Sequence, residues 1–122
     1  MPSVLIIDDD ENIRSQYTAA LKRKGFTVRQ AAGSKEALQQ FKISVPDLII
    51  LDVLMPEIDG LTLLDAADMA TNYPDTKVVI ASNVDKSEFE RELLGLKVAR
   101  YIRKTDYTPS QVAEVAQAVL GD

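Results

Sequence analysis

The chain contains neither cysteine nor histidine. The first absence excludes disulfides and thiolate metal sites. The second removes the usual general base, the commonest zinc ligand and any phosphohistidine of the chain's own. Whatever chemistry occurs must therefore use carboxylates, hydroxyls and lysine. Basic charge is also in short supply, with 14 Lys and Arg against 19 Asp and Glu and a net charge of -5. No basic face is clustered, which disfavours direct nucleic-acid binding. The most basic run, Lys22-Arg23-Lys24, falls at the end of a predicted helix, where it compensates the helix dipole. No apolar run approaches a membrane span and residues 1 to 7 carry no basic leader region, so the expectation is a cytoplasmic protein without membrane association. Repeats and low-complexity stretches are missing too.

What remains is ordinary for a globular domain. At 122 residues, 46% apolar and 27% charged, the chain fits one domain over residues 1 to 122 and can bury a sizeable core.

The stretch VLIIDDDENIR, residues 4 to 14, runs four apolar residues into Asp8, Asp9 and Asp10. One Asp suffices to cap a helix. Two carboxylates about 4 Å apart repel by roughly 1 kcal/mol in water and about 4 kcal/mol at an effective dielectric of 20. Crowding three is explained either by solvated neighbours of a cap or by a bound cation.

Short β-branched runs alternate with helical periods along the chain. Val4 to Ile7 reads as a strand, and Ile13, Tyr17, Ala20 and Leu21 then recur at helical spacing until Gly25, a C-cap glycine. Phe26 to Gln30 is a second strand, Ser34 starts a helix carrying Leu38 and Phe41, and Leu48 to Leu51 is apolar enough for the centre of a sheet. Gly60 leads into a helix with Leu61, Leu64 and Ala67, ended by the turn Asn72-Tyr73-Pro74-Asp75. Lys77 to Ala81 is the fourth strand. Asp85 and Glu88 form a capping signal before Phe89, Leu93 and Leu94, and Arg100 to Arg103 is the fifth strand. Thr108-Pro109-Ser110-Gln111 combines a capping box with Pro at the first helical position, after which Val112, Val115, Ala116, Val119 and Leu120 face the core.

Five strand and helix pairs imply an α/β fold, a doubly wound parallel sheet with helices on both faces. Ligands of such sheets bind outside the carboxyl ends of the strands. Strand one ends at Asp8-Asp9, strand three at Asp52, strand four at Ser82 and strand five near Lys104. Carboxylates converging with a lysine and a hydroxyl can hold Mg²⁺, which prefers oxygen ligands and often pairs carboxylates with phosphate. A carboxylate can also act as a nucleophile and become an aspartyl phosphate. Each residue has a plainer reading: Asp52 as a loop cap, Ser82 bonded to local backbone, Tyr101 as a core aromatic, Lys104 as a solvated lysine. Asp10 reads as the cap of the first helix.

From IIDDD through LDVLMPEIDG to YIRK, the chain resembles the receiver domain of two-component response regulators over essentially its whole length. The resemblance implies a flavodoxin-like strand order, 2-1-3-4-5. It implies that Asp52 accepts a phosphoryl group from a histidine of a partner kinase or phosphotransfer protein, which accounts for the missing histidine. Asp8 and Asp9 match the acidic pair that binds Mg²⁺, Asp9 directly and Asp8 through water, with the backbone carbonyl of Leu54 completing the protein ligands. Mn²⁺ is the alternative ion. Lys104 would neutralise charge on the transferred phosphoryl oxygens. Ser82 matches the switch hydroxyl and Tyr101 the switch aromatic, passing the change to the surface of the fourth helix, fifth strand and fifth helix. The implied partners are a downstream effector or a fused output domain, with a phosphorylation-dependent homodimer as a further form. On this reading the protein is no enzyme beyond its own phosphotransfer and dephosphorylation.

The sequence also departs from that pattern. Receiver domains usually carry Pro after the lysine in a cis peptide, whereas Lys104 is followed by Thr105. A cis bond before Thr costs about 3 kcal/mol, so a trans bond is expected. Asn83 replaces the small residue usual after the switch hydroxyl, either narrowing phosphate access or adding a hydrogen bond. Leu54 and Val84, two residues beyond Asp52 and Ser82, cannot orient a water, which predicts slow self-dephosphorylation; loss of phosphate within seconds in Mg²⁺ buffer would contradict it. Met55-Pro56 and Asp59-Gly60 read equally well as turn chemistry and as the family's loop after the acceptor, and in either case have a structural role.

Two other readings follow from the same residues. One is a receiver-fold interaction module that works without phosphorylation. The other, a phosphatase with an aspartyl nucleophile, wants a second carboxylate where Leu54 stands. No linker follows Leu120, so the chain is expected either to act alone or to be a domain of a longer protein.

Overall fold

A computed structural model describes residues 2–52, 72–83, 85 and 98–121. The predicted helices with Leu61, Leu64 and Ala67 and with Phe89, Leu93 and Leu94 lie outside these residues, as do Leu54, Met55-Pro56, Asp59-Gly60, Val84 and Glu88. The described elements run β1 (Ser3–Ile7), α1 (Glu11–Arg23), β2 (Thr27–Ala31), α2 (Ser34–Ile43), β3 (Leu48–Leu51), β4 (Lys77–Ser82), β5 (Arg100–Arg103), a 3₁₀ turn (Lys104–Asp106) and α3 (Pro109–Val119).

The five strands form one sheet in the order β2-β1-β3-β4-β5, and every pairing is parallel. Side chains alternate across the pleat, and the central strands spend both faces on burial. Val4, Ile6, Leu48, Ile50, Val79 and Ala81 join Tyr17 and Leu21 of α1 and Val112 and Ala116 of α3 in one core. Leu5, Ile7, Ile49, Leu51, Val78 and Ile80 join Ala37 and Phe41 of α2 in the other. Helices therefore cover both faces, as the alternation of elements implies.

Local chemistry sets the boundaries. The predicted second strand begins at Phe26, whereas β2 begins at Thr27. The reason is the end of α1, where the Phe26 N–H donates to Leu21 O at 3.2 Å and the Gly25 N–H to Lys22 O at 3.0 Å. Gly25 has φ +94°. That pair of bonds across a left-handed glycine is the Schellman arrangement, and its usual apolar contact is present in Leu21 and Phe26, which share one core. In α2 the phase turns Ala37 and Phe41 inward and leaves Leu38 38% exposed. Arg29 of β2 closes the end of α2, donating to Gln40 O and Ser44 O at 3.1 and 2.6 Å. The capping box of α3 is formed as predicted, with Gln111 N–H to Thr108 Oγ1 at 3.2 Å and Thr108 N–H to Gln111 Oε1 at 2.8 Å.

The sheet order puts the switch of direction at β1, because the chain leaves it for β2 on one side and returns to β3 on the other. Ligands of such sheets bind at this point, beyond the carboxyl ends of β1 and β3.

Candidate functional site

Asp8 follows β1 and Asp52 follows β3, so adjacent strands deliver both to that edge of the sheet. Their backbones are held in place: Asp52 N–H donates to Ile7 O at 2.9 Å and Asp8 N–H to Ala31 O at 3.1 Å. The side chains of Asp8, Asp9 and Asp52 each offer a carboxylate oxygen, and these lie within 4.8 Å of one another. At an effective dielectric of 20 each such pair repels by at least roughly 3 kcal/mol. Lys104, at the exit of β5, answers part of this. Its Nζ lies 2.5 Å from Asp8 Oδ2 and 3.0 Å from Asp52 Oδ2.

Among the described residues, the three carboxylates of this cluster meet the ammonium of Lys104, so acidic groups outnumber basic ones there. Burial pushes the Asp8 carboxyl above its usual range, and neither the lysine nor the Asp10 amide at 2.9 Å from Oδ1 brings it back down. Burial pulls the Lys104 ammonium the other way, but its bonds to Asp8 and Asp52 outweigh that and hold it above its ordinary value. The Lys104 shift reflects the two carboxylates beside it, whereas that of Asp8 is chiefly the cost of burying its charge. The donor set is hard oxygen throughout, with one carboxylate exposed and two buried, and the excess of acidic over basic groups among the described residues favours a divalent cation. Mg²⁺ therefore fits Asp8, Asp9 and Asp52. The carbonyl of Leu54, expected as a further ligand, lies outside the described residues.

Asp10 stays out of the cluster. Its Oδ1 accepts from the N–H groups of Asn12 and Ile13 at 2.9 and 3.2 Å, capping α1. Ser82, almost fully buried, ends β4, and Tyr101 lies in β5 opposite Ile80, packed against the core that contains Phe41. The strand register thus puts Ser82 at the same edge as Asp52 and places Tyr101 one step behind Ile102. The peptide between Lys104 and Thr105 is trans, since no cis bond occurs among the described residues.

Two features of the site have no sequence signature. Arg14 Nη1 donates to the carbonyl of Asp8 at 2.7 Å and its Nε to Gln30 Oε1 at 3.1 Å, pinning the loop that carries the acids to β2. An arginine one turn into an amphipathic helix looks like any solvent-facing cation. Tyr17 is buried in the core on the α1 face, and burial pushes its hydroxyl above the usual range, with Lys104, Asp8 and Asp52 near enough to act on it.

Comparison with known proteins yields a consistent set of relatives. A family model described as response regulator receiver domain matches residues 4–117. A protein-glutamate methylesterase/protein-glutamine glutaminase of Rhodospirillum rubrum is 37% identical over 122 residues, covering 98% of this chain and 33% of that protein. The chain spans 10–57% of the length of other curated relatives that it matches. Among solved structures, the chemotaxis protein CheY4 of Vibrio cholerae superposes with a TM-score of 0.87 at 28% identity, covering 98% of each chain. The response regulator protein TrrA of Thermotoga maritima, solved in complex with Mg²⁺-BeF, gives a TM-score of 0.80 at 27% identity, covering 98% of this chain and 99% of that one.

Proposed function

The chain belongs to the response regulator receiver domain family, and on that premise we propose that it is a phosphorylation switch in which Asp52 accepts a phosphoryl group from a phosphohistidine of a partner protein. The observation that carries the reading is the meeting of Asp8, Asp9 and Asp52 within 4.8 Å of one another, with Lys104 bonded to two of them. An isolated helix cap or surface ion pair needs no such convergence.

In the transfer a carboxylate oxygen of Asp52 attacks phosphorus, the P–N bond to the donor imidazole breaks, and the imidazole leaves and takes up a proton. The chain supplies position and charge. Ile7 O accepts from the Asp52 amide and so fixes the backbone from which its carboxylate extends. Lys104 is placed to exchange its contact with Asp52 for one with a phosphoryl oxygen, where developing charge is best stabilised by a fixed cation. Asp8 and Asp9, with Asp52, would hold Mg²⁺, which when bound supplies further neutralisation of the phosphoryl oxygens. Ser82 is the hydroxyl that would turn to the new phosphate, and Tyr101 the aromatic whose setting follows. The altered surface around β5 and α3 would then change affinity for an effector or for an output domain on the same polypeptide.

TrrA was solved with Mg²⁺-BeF, and the same mimic tests the proposal here. Titration with fluoroberyllate in Mg²⁺ should shift the backbone NMR signals of Ser82 and Tyr101 in the wild type and leave Asp52→Asn unchanged. Equal responses in the two proteins, or none in the wild type, would favour an interaction module that works without phosphate.

A further inference from the structure

The last rung between β4 and β5 pairs Ser82 with Arg103. Asn83 and Lys104 follow it, past the end of the ladder. Lys104 opens the 3₁₀ turn, which is closed by a long bond from Tyr107 N–H to Lys104 O at 3.4 Å. The first amides of such a turn have no partner inside it. Arg103, the residue in the capping position, makes no side-chain cap bond. The Thr105 N–H donates instead to Asn83 Oδ1, at 3.2 Å, from the neighbouring strand exit.

The backbone of Lys104 is thus tied to β4 on both sides, by the ladder through Arg103 before it and by the Asn83 side chain after it. Its other end is held by Asp8 and Asp52. Each partner of the Asn83–Thr105 bond depends on the other: a proline at 105 would have no N–H to donate, and an alanine at 83 would offer no acceptor.

We propose that Asn83 is a positioning residue for Lys104, a cap supplied across the β4–β5 exit that keeps the ammonium aligned on the Asp52 carboxylate. The proposal rests on the phosphoacceptor reading above. A charge-stabilising group acts only where it is aimed, so a loosened Lys104 turn slows phosphoryl transfer without touching the acids.

The test measures the rate of phosphorylation by acetyl phosphate at saturating Mg²⁺, Mg²⁺ affinity, amide exchange at Thr105 and the NMR signal of the Lys104 ammonium. In Asn83→Ala, whose site is exposed, the rate should fall about three- to ten-fold, the worth of an ordinary hydrogen bond. Thr105 exchange should quicken and the Lys104 signal should broaden, while Mg²⁺ affinity and thermal midpoint hold. Thr105→Pro should slow the reaction by a similar factor, and the double variant should be no slower than either single one. A wild-type rate and Thr105 exchange in Asn83→Ala would overturn the proposal, as would additive losses or a slowing explained by weaker Mg²⁺ binding. If the wild type takes up no phosphate, the phosphoacceptor reading fails by itself. The Thr105 and Lys104 signals then decide Asn83 alone: changed in Asn83→Ala they support its positioning role, and unchanged they overturn it.

Discussion

The amides of Asn12 and Ile13 converge on Asp10 Oδ1, while Asp8 faces Lys104 from the buried side of the same loop. Neighbours in sequence thus carry separate duties, and substitution should separate them. Asp10→Ala should cost about 1 kcal/mol in chemical denaturation, the worth of a helix cap, and leave phosphorylation almost unchanged. Asp9→Asn should abolish Mg²⁺-dependent phosphorylation yet match or exceed the wild type in stability in metal-free buffer, because one of three mutually repelling carboxylates is gone. A stability loss at Asp9 with activity retained would reverse the assignment. The cap role of Asp10 was legible from its place just before a helical period, whereas the pairing of Asp8 with Asp9 was implied by resemblance. Arg14 was not, because its partner is a backbone carbonyl, that of Asp8, and carbonyls are the same at every position.

At the level of elements, strong local signals held and phase was the weaker inference. Thr108-Pro109-Ser110-Gln111 predicts a helix start, and both reciprocal bonds of the capping box form there. Thr108→Ala should therefore destabilise the domain by about 1 kcal/mol, read as a lower denaturation midpoint with unchanged m-value, and Thr108→Ser should restore most of it. Phe26 illustrates the opposite case. Its aromatic character and position read as strand, but its N–H is taken by Leu21 O and the residue belongs to the end of α1. Leu38 misleads in a similar way, since size alone suggests burial whereas the phase of α2 gives the inward positions to Ala37 and Phe41. The hydrogen bond from Thr105 to Asn83 joins residues 22 apart, and no periodicity within a single element could reveal it.

For the whole molecule, alternation of strands and helices made the parallel sheet and its two cores legible, and the rule for ligand sites pointed to the strand ends where Asp8, Asp9 and Asp52 come together. The strand order was implied by resemblance, since spacing along a chain does not say on which side of β1 the next strand falls. Charge couples the site to global stability. The native state holds the protons of Tyr17 and Lys104 more tightly than their ordinary values of 10.0 and 10.5. A raised native value means that stability is fully present below the unfolded value and is lost as pH climbs past it. In metal-free buffer, the contributions of Tyr17 and Lys104 should therefore be lost above about pH 10, and Tyr17→Phe should remove part of the slope in stability there; an unchanged slope would contradict the buried, proton-retaining tyrosine. The central claim is that Asp8, Asp9, Asp52 and Lys104 form one metal-dependent phosphoacceptor. Its most direct test is incubation with acetyl phosphate followed by intact-mass measurement and peptide mapping, with Mg²⁺ or chelator, for wild type and Asp52→Asn. One phosphoryl group on Asp52, gained with Mg²⁺ and lost with chelator or in Asp52→Asn, is the predicted result. No uptake by the wild type, or equal uptake by Asp52→Asn, would contradict it.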